Sequence, residues 1–189
     1  MTKSILLVGV GGQGTILAGK ILTNGLLAAG YDVKMSEIHG MSQRGGSVST
    51  HVRYGEKVYS AVIEKGGADL LISFEQMEAM RWLDYLKPEG RAVISSTIIL
   101  PQSVLTGKNK YPEGILEGLA GKVDTCVLNA TEEAAKIGNP RGQNILLVGV
   151  AVKMLGLENI NWADIIEKNV RAQFVEINQK AFKHGYNLV

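Results

Sequence analysis

Two glycine-bearing segments hold the residues best suited to bind an anion. Gly9-Val10-Gly11-Gly12-Gln13-Gly14 follows the apolar run Ser4 to Val8, and Glu37-Ile38-His39-Gly40-Met41-Ser42-Gln43-Arg44-Gly45-Gly46 follows a second short run of strand character. A strand that ends in G-x-G-x-x-G and opens a helix gathers backbone N–H groups at the positive end of that helix. Such a turn suits a phosphate, a carboxylate or a closely approaching backbone. Gly9 permits the tight bend, Gly11 the approach of a ligand, and Gly14 the packing of the helix on the sheet, with Gly12 and Gln13 completing the turn. Glu37 stands 23 positions after Gly14, near the spacing of about 20 at which dinucleotide-binding domains keep a ribose-binding acid. The pattern admits three readings: a bound dinucleotide, an anchored phosphate or partner backbone, and a turn whose glycines serve packing alone. Arg44 lies between Ser42-Gln43 and Gly45-Gly46, where a guanidinium can hold a carboxylate or phosphate in two-pronged fashion. A solvated arginine in a flexible turn is the alternative.

The remaining candidates have plain structural roles. His39 and His51 titrate near neutrality, but a hydrogen-bonded loop histidine and a solvent-facing strand histidine account for them. His184 is expected to complement a helix dipole. Ser42 is not in a G-x-S-x-G elbow. Cys126 reads as a core thiol in an apolar strand. A single cysteine and three scattered histidines supply no disulfide, iron–sulfur cluster or zinc finger within the chain. The mixed charges from Glu75 to Glu89 suit a solvated helix face. Asn139 to Asn144 opens a helix and is expected either to cap it or to add donors to a binding edge. No residue is assigned a catalytic role and none a metal.

These groups need elements to hold them. Ser4–Val8 reads as a buried parallel strand, followed by a helix from about Gly12 to Ala29 and a strand over Asp32–Glu37, an order that implies a right-handed crossover. Ser47–Arg53 alternates as a half-exposed strand, with Val58–Ile63 as its antiparallel partner. Asp69–Phe74 is a further strand, Glu75–Leu86 a helix, Lys87-Pro88-Glu89-Gly90 a turn, and Arg91–Ser95 a strand. Val123–Leu128 is the last strand. Helices follow over Thr131–Ile137, Gln143–Leu155 and, capped by Asn161, from Trp162 to about His184. The expected fold is α/β: a three-layer αβα, Rossmann-like domain with a mostly parallel, mixed sheet, formed by residues 1–189 as one unit.

Composition narrows the function classes. The 189 residues carry a net charge of only +2, which offers no long-range attraction for nucleic acid. No apolar run approaches the roughly 20 residues of a membrane span. Without a signal-peptide pattern or a disulfide, a cytoplasmic location is the simplest expectation.

Taken together, the two loops resemble those of the gamma domain of the 2-oxoacid:ferredoxin oxidoreductases. Gly66-Gly67-Ala68-Asp69-Leu70-Leu71 is similar to a third landmark of that family. Phe74-Glu75 and Tyr111-Pro112 resemble the small subunit of its indolepyruvate branch, and His39-Gly40-Met41-Ser42-Gln43 before Arg44-Gly45-Gly46 favours that branch over the pyruvate and 2-oxoglutarate ones. The resemblance covers essentially the whole chain. It implies a small subunit of an enzyme that oxidatively decarboxylates a 2-oxoacid with coenzyme A and passes electrons to ferredoxin. It also implies that thiamine diphosphate, Mg2+ and [4Fe-4S] clusters sit in a large alpha-type partner subunit, and that this chain binds no cofactor alone. Gly9, Gly11, Gly12, Gln13, Gly14, Ser42, Arg44, Gly45 and Gly46 are then expected to face coenzyme A phosphates or to brace the partner. Three competing readings are the gamma subunit of a pyruvate, 2-oxoisovalerate or 2-oxoglutarate:ferredoxin oxidoreductase, a free-standing NAD-dependent dehydrogenase using Glu37, and a non-enzymatic scaffold. The apolar C-terminal helix would also suit a homodimer of the isolated chain.

Overall fold

The computed structural model describes residues 2–40 and 45–189, so Met41, Ser42, Gln43 and Arg44 lie outside the described residues. The chain order is β1 (Lys3–Val10), α1 (Thr15–Ala28), β2 (Asp32–His39), β3 (Ser47–Gly55), β4 (Ala68–Ser73), α2 (Gln76–Arg81), β5 (Leu86–Ser95), α3 (Gln102–Leu105), α4 (Ile115–Ala120), β6 (Asp124–Leu128), α5 (Ala130–Lys136), α6 (Gln143–Leu155), α7 (Trp162–Asn169) and α8 (Val175–Tyr186). Short 3-10 turns cover Leu83–Tyr85 and Ala172–Phe174. The strands form one six-stranded sheet in the order β2-β3-β1-β4-β5-β6. β3 runs antiparallel to both β2 and β1, whereas β1, β4, β5 and β6 are mutually parallel. The expected mixed, mostly parallel sheet is therefore present.

Alternate residues of the central strands feed two cores. Ile5, Leu7, Leu70, Ile72 and Val93 pack with α1, α5 and α6, while Leu6, Val8, Leu71, Ala92 and Ile94 pack with α2 and α4. Both faces of these strands are covered, which explains their continuous apolar runs. Helix α6 is buried from Asn144 to Val152, apolar all round because the sheet side and α8 enclose it. At that crossing the backbones nearly touch. A Cβ on Gly149 would overlap the Phe182 carbonyl, and one on Gly185 would overlap the Leu146 carbonyl. The buried side of α8, at Ala181 and Gly185, is thereby used inside the monomer.

Several expected elements differ. β3 is not half-exposed: Ser49, Thr50, His51 and Val52 are at most 2% exposed, because both faces are covered, with α1 against Thr50 on one side and a second layer on the other. Trp82 and Tyr85 meet the His51 ring edge-on from the other layer. Val58–Ile63 forms no strand. It crosses as an irregular segment, with the Val58 N–H donating to Asp32 Oδ2 at 2.8 Å and the Ile63 N–H to His51 Nδ1 at 3.0 Å. The first helix starts at Thr15, and the helix after Phe74 ends at Arg81. The Lys87–Gly90 turn is a bulge inside β5, since Leu86 pairs with Ala68 and Arg91 already pairs with Leu70. The C-terminal helix is broken at Val170, which is extended at φ −121°, ψ 160°. There Asn169 Nδ2 donates to the Ile165 carbonyl at 2.7 Å and Asn169 Oδ1 accepts from Asn24 Nδ2 at 2.7 Å. A side chain tied back to i−4 and out to α1 competes with helix continuation.

Candidate functional site at the strand ends

The C-terminal ends of β1, β2, β4, β5 and β6 and the N-terminal end of β3 share one edge of the sheet, and both glycine segments lie there. They are in direct contact. The Gly11 N–H donates to the Gly46 carbonyl at 2.8 Å, and the Gly45 N–H donates to the Gly11 carbonyl at 3.3 Å. These bonds carry the β1–β3 ladder past its last pair, Val10 with Ser47. Of the second segment, residues 37–39 end β2, and Gly45 and Gly46, just before β3, lie against the glycine turn.

Not every amide of the turn is bare. Gln13 is only 7% exposed; its Oε1 accepts the Val10 N–H at 2.8 Å and its Nε2 donates to the Phe74 carbonyl at 2.8 Å. Its side chain braces the turn rather than facing outward. Gly9 is enclosed by Gln13, Phe74 and Thr15. Gly14 is left-handed at φ +84° and precedes α1. It lies against Asn144 of α6, whose Nδ2 donates to the Gly14 carbonyl at 3.4 Å, so its closest neighbour is a second helix and not the sheet. Gly12 and Gly45 are exposed.

Two helix N-termini therefore converge at Gly14 and Asn144. Neither α1 nor α6 has a side-chain cap or an acidic residue in its first turn. Each helix carries about half a positive charge at that end, so the two helix dipoles make this corner electropositive. Beside it opens a cleft of about 330 Å3, lined by Gly11, Gly12, Gly14, Thr15, Ile16, His39 and Val48. His39 is exposed at the rim, with Nδ1 3.2 Å from the Gly40 carbonyl. A row of polar side chains continues the edge. Ser95 Oγ lies 2.8 Å from Thr97 Oγ1, Thr97 Oγ1 lies 3.2 Å from Thr131 Oγ1, and Thr131 donates to Gln143 Oε1 at 3.0 Å.

Two carboxylates that the sequence places on a solvated face are buried here instead. Glu75 is fully buried and Glu78 is 3% exposed. Glu78 accepts from Ser47 Oγ at 2.5 Å, fixing where the hairpin loop re-enters the sheet, and it pairs with Arg81 at 3.2 Å. Glu75 accepts from Tyr111 Oη at 2.5 Å and from the Glu78 N–H at 2.9 Å. Burial, then the Glu75 bond, pushes the Tyr111 phenol up. Nothing local in the sequence foretells these contacts; their nearest signal is that Phe74-Glu75 and Tyr111-Pro112 both belong to the family resemblance.

The other candidates are dispersed. His51 is buried, not solvent-facing, and burial lowers its pKa. His184 lies in the last turn of α8 and also contacts Glu133 Oε2 at 2.8 Å. Cys126 is half-buried, and burial pushes its thiol up. Among the described residues, no three His, Cys, Asp or Glu side chains converge as a metal-ligand set, and no helix is long and apolar enough to cross a membrane. Glu37 is exposed on β2, and β3 separates β2 from β1. At roughly 4.8 Å per strand, the insertion puts Glu37 about 10 Å from the glycine strand. That is one strand further than in a dinucleotide-binding βαβ unit.

The fold is a three-layer αβα domain on a mixed sheet, with its glycine turn bonded to Gly45 and Gly46 ahead of β3. The chain belongs to the pyruvate ferredoxin/flavodoxin oxidoreductase family, whose model matches residues 4–188. It is 38% identical to the indolepyruvate oxidoreductase subunit IorB of Archaeoglobus fulgidus, over 99% of this chain and 95% of that subunit. The 2-oxoglutarate synthase subunit KorC of the same organism is 25% identical over 98% of this chain and 87% of that subunit. The crystal structure of a keto/oxoacid ferredoxin oxidoreductase gamma subunit from Geobacter sulfurreducens superposes with a TM-score of 0.73 at 25% identity, covering 98% of this chain and 96% of that one. The protein is a small, IorB-like subunit of a 2-oxoacid:ferredoxin oxidoreductase, and its activity is that of a subunit of the complex. The free-standing dehydrogenase reading is disfavoured.

Proposed function

We propose that this chain serves an arylpyruvate-type oxidoreductase, with indolepyruvate as the model substrate, and that its glycine edge receives the anionic part of coenzyme A. The observation that carries this reading is the meeting of two uncapped helix N-termini at Gly14 and Asn144, beside a cleft of about 330 Å3. Such a corner favours phosphate. The higher identity to IorB than to KorC supports the substrate branch.

In this reading thiamine diphosphate with Mg2+ and the [4Fe-4S] clusters lie in the large catalytic subunit, which also delivers electrons to ferredoxin. A single cysteine, Cys126, cannot by itself supply the four thiolates of a [4Fe-4S] cluster. Within the small subunit, Gly11, Gly12, Gly14, Gly45 and Gly46 shape the cleft and Gln13 holds its floor. Ser42 and Arg44 lie outside the described residues and are included as anion-binding candidates by their sequence position between β2 and β3 alone.

The test is co-expression with the large subunit, followed by viologen reduction with indolepyruvate and coenzyme A. Activity that needs both chains supports the reading; activity of the large subunit alone, at full rate, overturns it. Ile16→Glu places a carboxylate in the cleft, on a residue 42% exposed in the first turn of α1. A negative residue suits a helix N-terminus, so the fold is retained. The KM for coenzyme A should rise about tenfold with assembly intact, a change of about 1.4 kcal/mol. An unchanged KM with weakened assembly would assign the cleft to the partner's surface instead.

A further inference from the structure

The junction of β4 and α2 reaches both glycine segments. On one side the Phe74 carbonyl accepts from Gln13 Nε2 of the glycine turn at 2.8 Å. On the other, in the first turn of α2, Glu78 Oε2 accepts from Ser47 Oγ at 2.5 Å. Ser47 opens β3 and directly follows Gly45-Gly46, whose backbone is bonded to Gly11. Glu78 is itself held in place. Its N–H donates to the Glu75 carboxylate at 2.9 Å, the N-cap bond of α2. Its second oxygen, Oε1, accepts from Arg81 Nε at 3.2 Å, and the half-exposed guanidinium balances its charge. Trp82 Nε1 adds a longer bond to Ser47 Oγ at 3.5 Å. A carboxylate in the first turn of a helix is ordinarily accounted for by the helix dipole. That role needs neither burial nor a bond to another element, and taking a charge out of water is costly unless donors meet it. Glu78 is nevertheless buried and aimed at a strand residue 31 positions away.

We propose that Glu78 is a positioning residue of the coenzyme A cleft: through Ser47 it sets where Gly45 and Gly46 lie against Gly11, and so the shape of the cleft's glycine wall. The inference rests on the coenzyme A reading above. Gly11, Gly45 and Gly46 have no side chains with which to anchor themselves. Their mutual bonds lie past the last pair of the β1–β3 ladder, Val10 with Ser47, where an untied ladder end frays. Ser47 supplies the tie at that pair. Successive strand residues point to opposite faces, so Val48 lines the cleft while Ser47 turns to the α2 layer. The bond to Glu78 therefore fixes the wall from behind without occupying the cleft. A wall set before the ligand arrives spares binding the cost of ordering it. Glu78 touches neither ligand nor reacting atoms in this arrangement, so its effect belongs to binding of coenzyme A and not to turnover once it is bound.

The experiment compares Ser47→Val with Ser47→Thr, two β-branched residues at an exposed strand position that differ in the hydroxyl. Glu78→Gln joins them because it keeps an oxygen for Ser47. In the isolated chain, exchange of the Gly11 amide should quicken about tenfold in Ser47→Val while the amides of α6 keep wild-type rates. In the complex with the large subunit, Ser47→Val should raise the KM for coenzyme A about fivefold with kcat changed by less than about twofold. Ser47→Thr and Glu78→Gln should both keep KM near the wild-type value. Unchanged Gly11 exchange in Ser47→Val, or a Ser47→Thr variant as impaired as Ser47→Val, overturns the positioning role. So does a KM that Ser47→Val leaves alone while Ile16→Glu raises it, and in that case the coenzyme A reading stands. If neither Ile16→Glu nor Ser47→Val moves that KM, the coenzyme A reading falls and this inference falls with it.

Discussion

The Tyr111 hydroxyl donates to the Glu75 carboxylate at 2.5 Å, joining residues 36 apart in the chain inside the layer that holds α2 and α4. Among the described residues Glu75 has no cationic partner; it accepts from the Tyr111 hydroxyl and from the N–H groups of Glu78 and Ile99. A fully buried carboxylate is tolerable only when donors surround it, and each loss leaves an exposed demand. Tyr111→Phe is expected to cost about 1.5–3 kcal/mol in urea unfolding, the range for a bond to a charged group. A loss under about 0.5 kcal/mol would mean the bond does not hold in solution.

Gln13→Leu leaves the Val10 N–H and the Phe74 carbonyl, both buried, without partners. The expected loss is about 2–6 kcal/mol, from one to three for each orphaned group. Gln13→Glu keeps the acceptor for Val10 but, when ionised, has no donor for Phe74; at low pH its protonated carboxyl can donate again, so it should move from near the Leu variant towards wild type as pH falls. Equal stability of all three proteins would show that the turn does not need this brace.

Gly14→Ala meets two obstacles. The backbone is at φ +84°, and the added Cβ would lie 2.6 Å from Asn144 Nδ2. The strain of a left-handed non-glycine residue is about 1–2 kcal/mol. Combining it with Asn144→Ala should recover the steric part and leave the backbone part. Additive losses in the double variant would contradict the observed contact.

His51 supplies a pH dependence whose sign is fixed. Its Nδ1 accepts from the Ile63 N–H, and burial lowers its pKa, so the unfolded chain binds a proton more readily than the folded one. Stability from this group is complete above the unfolded value near 6.5 and declines as pH falls below it, by at most about 1.4 kcal/mol per pH unit. Melting temperature measured from pH 7.5 to 5.0 should drop more steeply for wild type than for His51→Asn, which keeps an acceptor for Ile63 but does not titrate. Parallel curves would remove His51 as the cause.

Tyr54 tests the opposite case. Its hydroxyl is buried with no hydrogen-bond partner among the described residues, beneath the edge of Tyr31, and burial pushes its pKa up to about 12. Tyr54→Phe removes a group whose desolvation is uncompensated, so stability should be unchanged or raised by about 1 kcal/mol. A clear loss would reveal a partner for the hydroxyl.

The sequence by itself determined much of this protein. Continuous apolar runs such as Ile5 to Val8 announced buried parallel strands, and the Asn139-Pro140-Arg141-Gly142 break set the start of α6 at Gln143. The paired glycine segments pointed to one edge because both follow strands. Local chemistry suffices for such features, since a turn or a cap is made by neighbours. Tertiary structure alone decided where β3 went. Inserted between β1 and β2 and covered on both faces, it buried His51, moved Glu37 away from the glycine strand and zipped Gly11 to Gly46. It also decided that Glu75 and Glu78 face inward, because their donors, Tyr111 and Ser47, come from distant parts of the chain. Helical spacing records which residues share a face, but not which face a later segment will cover, and that is a property of packing.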